Sequence, residues 1–304
     1  LNFKIQNSLR YGENPHQQAY IAGDFYDYFD ILHGKELSYN NIVDLVAAVE
    51  LVNELEPTSC AIIKHTNAAG VASGSDVLDS YEKALSGDPV SAFGGIVAFN
   101  TKVNLETAEK LNNIFLEIIV APDYDDEALE ILKKKKNRRL LKEVKKIESK
   151  NLNVKNVPGG VIAQTRDNST VMDLDLKTVT NLTPSVEQVE DLKFAWIVCK
   201  HTKSNAIVYV KNKKLLGAGA GQMSRLDSSK IAAMKAIEHG HDLTGAVAAS
   251  DAFFPFADGL LAIADSGITA VIQPGGSVRD EEVIQAANNK NISMIFTGIR
   301  NFKH

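Results

Sequence analysis

Two stretches of this chain run through the same series of short motifs in the same order, and this internal echo limits the fold more than any other feature. The first stretch reads IIKHTN at Ile62–Asn67, SAFGG at Ser91–Gly95 and IIVAP at Ile118–Pro122. The second reads IVCKHTKSN at Ile197–Asn205, DAFFPF at Asp251–Phe256 and AVIQP at Ala270–Pro274. In each, an apolar run ends in Lys-His-Thr, then come a polar turn, an Ala-Phe loop and an apolar run that stops at proline. Such an echo implies one supersecondary unit used twice. The expected organisation is a first unit over residues 1–152, carrying an N-terminal arm, and a second over residues 153–304.

The periodicity between these motifs sets the fold class. The first 40 residues carry little of it, and LRYGENPHQQAYIAG reads as an ordered loop or arm. Asn41–Leu55 has apolar residues at helical spacing and is stopped by Pro57. CAIIK then reads as a buried strand, Val77–Leu85 as a helix, GGIVAFN as a strand, Leu105–Leu116 as a helix and EIIVAP as a strand. Asp126–Ser149 starts helical and becomes heavily basic (KKKKNRRLLKEVKK), the pattern of a solvated face. In the second half a helix begins at Val186–Leu192 and runs into FAWIVCKHTKSN, whose apolar part reads as strand. AIVYV is a strand, KNKK a turn, Ser228–Glu238 a helix, GLLAIADSG a helix, and AVIQP and SMIF strands. Alternation of this kind predicts an α/β layer fold around a mixed or parallel sheet.

The formal net charge of -5 weighs against a dedicated nucleic-acid binder. Two cysteines, Cys60 and Cys199, lie in apolar runs, so a disulfide framework is not expected and the cytoplasm is. No run approaches the length of a membrane helix. Nothing at the start reads as a signal peptide, and a first residue of Leu1 suggests a piece of a longer protein. CxxC, HExxH and GxSxG patterns are absent.

Ligands of α/β folds bind beyond the carboxyl ends of strands, so Lys64 and His65 are candidates for proton handling. Adjacent cations disfavour each other's charge, which leaves a histidine free to act as base. Asn67 and Asn205 follow closely and offer amides to a planar polar ligand. GAGAGQMSR (Gly217–Arg225) leads into a helix and reads either as a phosphate cradle or as a closely packed glycine run. The phenylalanines of DAFFPF read either as a core plug or as a wall for a flat heterocycle. The closing GIRNFKH either docks or is solvated.

RYGENPHQ, KHTNAAG, DPVSAFGG, KHTKSN, GAGAGQMSR, SDAFFPF and RNFKH occur in that order from Arg10 to His304. Together they resemble the AICAR transformylase family, domains found in bifunctional purine-synthesis proteins that also carry IMP cyclohydrolase. (AICAR is 5-aminoimidazole-4-carboxamide ribonucleotide.) The resemblance implies two tandem cytidine-deaminase-like α/β/α units without the zinc ligands of true deaminases, and a chain without the cyclohydrolase domain to which the family is normally fused. It implies formyl transfer from 10-formyltetrahydrofolate to the amine of AICAR, with Lys64, His65 and Asn205 as catalytic residues. Arg10, Tyr11, Gly94, Arg225, Phe253, Arg300, Phe302 and His304 would contact AICAR. Glu117 stands where the family's aspartate is usual. Phe256, Asp258 and Ser277 would meet folate, and Thr202, Ser204 and Asp251 a potassium ion. The family forms homodimers with shared active sites. Two other readings are a formate- and ATP-dependent formylase of the same fold, disfavoured by the lack of an ATP-binding motif, and a non-catalytic nucleotide-binding or assembly domain.

Overall fold

A computed structural model describes residues 5–147 and 152–304, so the end of the basic run, Glu148 and Ser149, lies outside the described residues. The elements of the first half are β1 (Ile5–Ser8), β2 (Tyr20–Ala22), β3 (Phe29–His33), α1 (Tyr39–Asn53), β4 (Ser59–Lys64), β5 (Asn67–Ser73), α2 (Val77–Leu85), β6 (Ile96–Phe99), α3 (Leu105–Leu111), β7 (Ile118–Ala121), α4 (Asp126–Lys133) and β8 (Arg139–Glu143). There follow β9 (Leu152–Val157), β10 (Gly160–Thr165), β11 (Lys177–Thr178), α5 (Val186–Lys200), β12 (Ile207–Lys211), β13 (Lys214–Gly219), α6 (Arg225–Glu238), β14 (Val247–Ser250), α7 (Ala257–Asp265), β15 (Ala270–Gln273), α8 (Asp280–Asn289) and β16 (Ser293–Phe296).

One mixed sheet organises the chain, in the order β11-β16-β15-β14-β12-β13-β5-β4-β6-β7-β8-β3. Its two halves repeat each other. β4 pairs antiparallel with β5 and β6, and β7 and β8 continue in parallel. β12 pairs antiparallel with β13 and β14, and β15 and β16 continue in parallel. Side chains alternate between faces along each strand. On one face Ala61, Ile63, Val208 and Val210 join a single core under α1 and α5. On the other face Cys60 and Ile62 pack with α2 and α3, and Ile207 and Tyr209 with α6 and α7, in two separate cores. Covered on both sides, the central strands are apolar throughout.

The sequence echo and the structural repeat are out of step. FAWIVC is not a strand but the last part of α5, so Cys199 sits in a helix and Lys200-His201-Thr202 closes that helix. Ser185 and Gln188 form its capping box, and its last part, Phe194–Cys199, is apolar all round because the shared core encloses it. The structural counterpart of Lys64-His65-Thr66-Asn67 is Lys211-Asn212-Lys213-Lys214. Each is a two-residue hairpin turn whose central residues have positive φ: 51° and 64° at His65 and Thr66, 55° and 51° at Asn212 and Lys213.

Other expectations change too. The N-terminal arm is bracketed by the β1–β2 hairpin, and β3 joins the main sheet as its edge. The basic run is solvated at Lys133–Asn137 and again at Val144–Lys146, but not between them. There Arg138, Arg139, Leu140, Leu141 and Glu143 are buried, because β8 runs between β7 and β3. The helix from Leu105 stops at Leu111. Gly217 and Gly219 of the glycine run lie in β13 and let α6 approach, so the close-packing reading holds for them. A methyl group on Gly217 would lie 2.2 Å from the Ala232 carbonyl oxygen, and one on its counterpart Gly70 would lie 1.8 Å from that of Ala84. Backbone cannot yield as a side-chain tip does. Gly70→Ala is therefore expected to cost about 3 kcal/mol or more in urea unfolding; a loss under about 1 kcal/mol would show that α2 is free to move away.

Candidate active site

The site residues fall into two groups. The first gathers at the β4–β5 turn. His65 is exposed, and its left-handed backbone, with that of Thr66, is a conformation β-branched residues avoid. Asp44 of α1 holds it by accepting from the Thr66 N–H at 2.7 Å. Lys64 Nζ donates to the carbonyls of Phe93 (3.1 Å) and Gly94 (3.2 Å), and Gly94 has φ +69° where the chain passes Lys64. Phe93 and Phe115, 60% and 47% exposed, form a ring pair beside this point, with centroids 5.4 Å apart. Glu117 accepts from Arg139 Nη1 at 2.7 Å. Arg139 is buried and also donates to Lys35 O and Glu36 O. Burial pulls its guanidinium pKa down, Glu117 holds it up, and the charge of Arg10 lies near enough to add to the lowering. Arg10 stacks on Tyr11 at 4.7 Å and donates to its hydroxyl at 3.1 Å.

The second group centres on Arg225, the first residue of α6. Its Nε donates to Ser250 Oγ (2.8 Å), and its Nη2 to Asn205 Oδ1 (3.0 Å) and Asp251 Oδ1 (2.7 Å). Asn205 Nδ2 donates to Gln222 O and Met223 O, so its amide is fixed at both ends. Asp251 is fully buried, and its Oδ2 has no hydrogen-bond partner. The C-terminal tail docks here: Asn301 N donates to Asp251 O (3.0 Å), Ser204 N to Lys303 O (2.9 Å) and Lys303 N to Ser204 Oγ (2.9 Å). Thr202 is buried, its hydroxyl bonded to Val198 O at 2.8 Å. Between the docked residues Arg300, Phe302 and His304 are exposed, Arg300 lying 4.4 Å over the Phe302 ring and His304 5.6 Å from it. The phenylalanine motif divides its roles. Phe254 is a core plug, Phe253 is half-buried, and Phe256 is exposed under Arg279 at 4.6 Å. Ser277 Oγ accepts from the Arg279 N–H, while the Asp258 carboxylate accepts from the N–H of Gly259. The two groups touch where Asn67 Oδ1 accepts from the Lys203 N–H at 3.1 Å.

Sequence reasoning missed Asp44, Arg139 and Glu54. Arg139 was hidden in the basic run, though its Arg-Leu-Leu-Lys-Glu context has a strand's length and bulk. Glu54, at the end of α1, accepts from Lys200 Nζ (2.9 Å) and pairs with His201 Nε2 (3.0 Å), so the second Lys-His pair ties the two halves together. Burial pushes the Glu54 carboxyl up, but His201 and Lys200 outweigh it and the net shift is downward. Burial pushes the His201 imidazole below its ordinary 6.5, against the pull of Glu54. Its Nδ1 is buried without a partner, so a protonated ring would carry an unsatisfied N–H there. With the folded pKa depressed, the stability from His201 is complete above pH 6.5 and is lost as the pH falls through the lowered value. Urea unfolding at pH 7 and 5.5 should show this slope, and His201→Gln should flatten it; an unchanged slope in the variant would count against a neutral buried ring.

A turn with an exposed imidazole and a fixed amine, beside exposed rings, has groups suited to proton transfer. The second group offers cations, the exposed Arg300 among them, that can meet an anionic ligand. A family model described as AICARFT/IMPCHase bienzyme matches residues 1–235 of this chain. The Bifunctional purine biosynthesis protein PurH of Chlorobium phaeobacteroides is 53% identical over 317 aligned residues, which cover 100% of this chain and 61% of that protein. The PurH proteins of Chlorobium chlorochromatii and Parvibaculum lavamentivorans are 52% and 53% identical, covering 97% and 99% of this chain and 58% and 59% of theirs. The chain thus spans about 60% of the length of these relatives. Among the described residues, no helix is long and apolar enough to cross a membrane.

Proposed function

Because the chain belongs to the AICARFT/IMPCHase bienzyme family, we propose that it transfers the formyl group of 10-formyltetrahydrofolate to the 5-amino group of AICAR, in cytoplasmic purine synthesis. The observation that carries this reading is the β4–β5 turn, where Lys64 is held on two carbonyls beside the exposed, strained His65. The AICAR amine is a poor nucleophile because its lone pair is delocalised into the ring and carboxamide. Attack on the formyl carbon forms one C–N bond, and loss of N10 of the folate breaks another. One proton leaves the amine and one reaches N10. In this reading His65 takes the first proton, and Lys64 donates to the formyl oxygen as charge builds on it. Asn205, fixed by Arg225, orients the carboxamide. Arg10, Tyr11, Gly94, Glu117, Arg225, Phe253, Arg300, Phe302 and His304 position the nucleotide, and Phe256, Asp258 and Ser277 the folate.

The reading extends to two cytidine-deaminase-like units, residues 1–152 and 153–304, and to the transformylase part of a longer bifunctional architecture. It places the two groups in one active centre completed by a second copy of the chain. Thr202, Ser204 and Asp251 would hold a monovalent cation such as potassium. What supports this is the buried, unpartnered Asp251 Oδ2, an oxygen donor of the kind such an ion takes. Bound there, the ion would share the Asp251 carboxylate with Arg225 and steady the docked tail.

The test is direct. The protein is mixed with AICAR and 10-formyltetrahydrofolate, and tetrahydrofolate is followed. Product requiring both substrates is the expected result. Tight AICAR binding with no tetrahydrofolate would favour a binding domain instead.

A further inference from the structure

β5 and β13 meet at one register pair, Lys214 opposite Ala72, where the two halves of the sheet join. A cavity of ≈ 350 Å³ lies there, lined by Lys83 of α2, by Lys211, Asn212 and Lys214 of the β12–β13 turn, and by His241 and Asp242 after α6. This turn is the counterpart of Lys64–Asn67 in the other half. Lys211 Nζ donates to Thr244 O (2.7 Å) and Lys214 Nζ to Ser86 Oγ (3.4 Å), both neutral oxygens. His241 Nε2 lies 2.8 Å from Ser86 O, and Lys83 pairs with Asp79 at 2.7 Å. The Asp242 carboxylate accepts from the Thr244 N–H at 2.9 Å. Burial and the charge of Lys83 push Lys214 down, and burial and Lys214 push His241 down. The cations gathered here repel one another, and an anion would relieve them.

Ser86, which contacts both Lys214 and His241, opens the loop that leads to Phe93 and Gly94. Asp88 braces that loop by accepting from the Ser91 N–H (2.8 Å) and Oγ (2.7 Å), and the carbonyls at its end hold Lys64. The volume is within the range of small-molecule sites and exceeds what a bare phosphate fills.

We propose that this cavity is a second anion site, built for the phosphoryl group of a small molecule, and that its filling is felt at Lys64 through the loop of residues 86–94. The site itself stands on the geometry alone, whereas the coupling rests on the formyl-transfer reading. Reductive methylation of the full chain, mapped by mass spectrometry, tests the site in three buffers of equal ionic strength: chloride, inorganic phosphate and ribose 5-phosphate. Relative to chloride, labelling of Lys211 and Lys214 should slow by roughly tenfold in at least one phosphorylated buffer, while exposed Lys230 does not change. Stronger protection by ribose 5-phosphate supports a phosphorylated organic ligand; equal protection supports the phosphoryl group alone. Equal labelling in all three buffers overturns the site. For the coupling, phosphate should alter kcat in the wild type and not in the Lys211→Met/Lys214→Met variant. Protected lysines with an unmoved kcat would overturn the coupling and leave the site standing. Absence of any formyl transfer would sink the functional reading, and the labelling would still decide the site.

Discussion

His65→Ala is expected to lower kcat for formyl transfer by about 10²–10⁴-fold, the usual contribution of a positioned general base. Lys64→Ala should fall in a similar range, because in the proposed mechanism it removes the donor to the formyl oxygen. The physical basis is the separation of support from chemistry in the β4–β5 turn. Its backbone is held by Asp44 through the Thr66 N–H, while the His65 ring is exposed. Removing the ring therefore takes little from the core, and unfolding free energy should move by no more than about 0.5 kcal/mol. Lys64→Arg should not rescue activity, because the wider guanidinium would have to fit where a methyl group on Gly94 would already lie 3.1 Å from Nζ. Steady-state kinetics with urea unfolding separates these effects. Activity within a few-fold of wild type in both alanine variants would remove the pair from the mechanism.

Asp251→Ala carries the largest expected stability effect, about 3–5 kcal/mol. Asp251 is fully buried, and Arg225, whose side chain is 9% exposed, is its partner at 2.7 Å. Without the carboxylate the guanidinium is left buried and uncompensated. The loss would spread, since Arg225 also fixes Asn205. Asp251→Asn keeps the shape and one acceptor, so it should cost less than the alanine variant. A cost below about 1 kcal/mol for Asp251→Ala would mean that Arg225 finds another partner or leaves the interior.

Much of this architecture was readable where period and punctuation agree. Val77–Leu85 is a helix in both views, bounded by the Asp76 cap, and IIVA is a strand in both because four buried apolar residues leave it no polar face. α5 was misread at its end because Phe194–Cys199 is apolar on every side, and such a run has no period to separate helix from strand. β8 is hidden in the sequence because a run of charge suggests solvation, whereas the Arg139 head group is satisfied by Glu117 and by backbone carbonyls in the interior. The repeated Lys-His-Thr was a true clue to a repeated fold attached to the wrong residues. One copy makes the β4–β5 turn and the other ties α5 to Glu54, and only the pairing of β12 with β13 shows that Lys211–Lys214 is the real counterpart. Motif order also could not show that the candidate residues gather in two groups, because that depends on where each strand end lies in the sheet.

The most direct test of one active centre built from those two groups is complementation between copies. Chains carrying His65→Ala and chains carrying Asn205→Ala are co-produced with different tags, and formyl transfer to AICAR is measured in the mixture. If each centre takes one group from each of two copies, random pairing restores one intact site in half of the dimers, about one quarter of wild-type activity. A mixture no more active than either variant alone would contradict the shared centre.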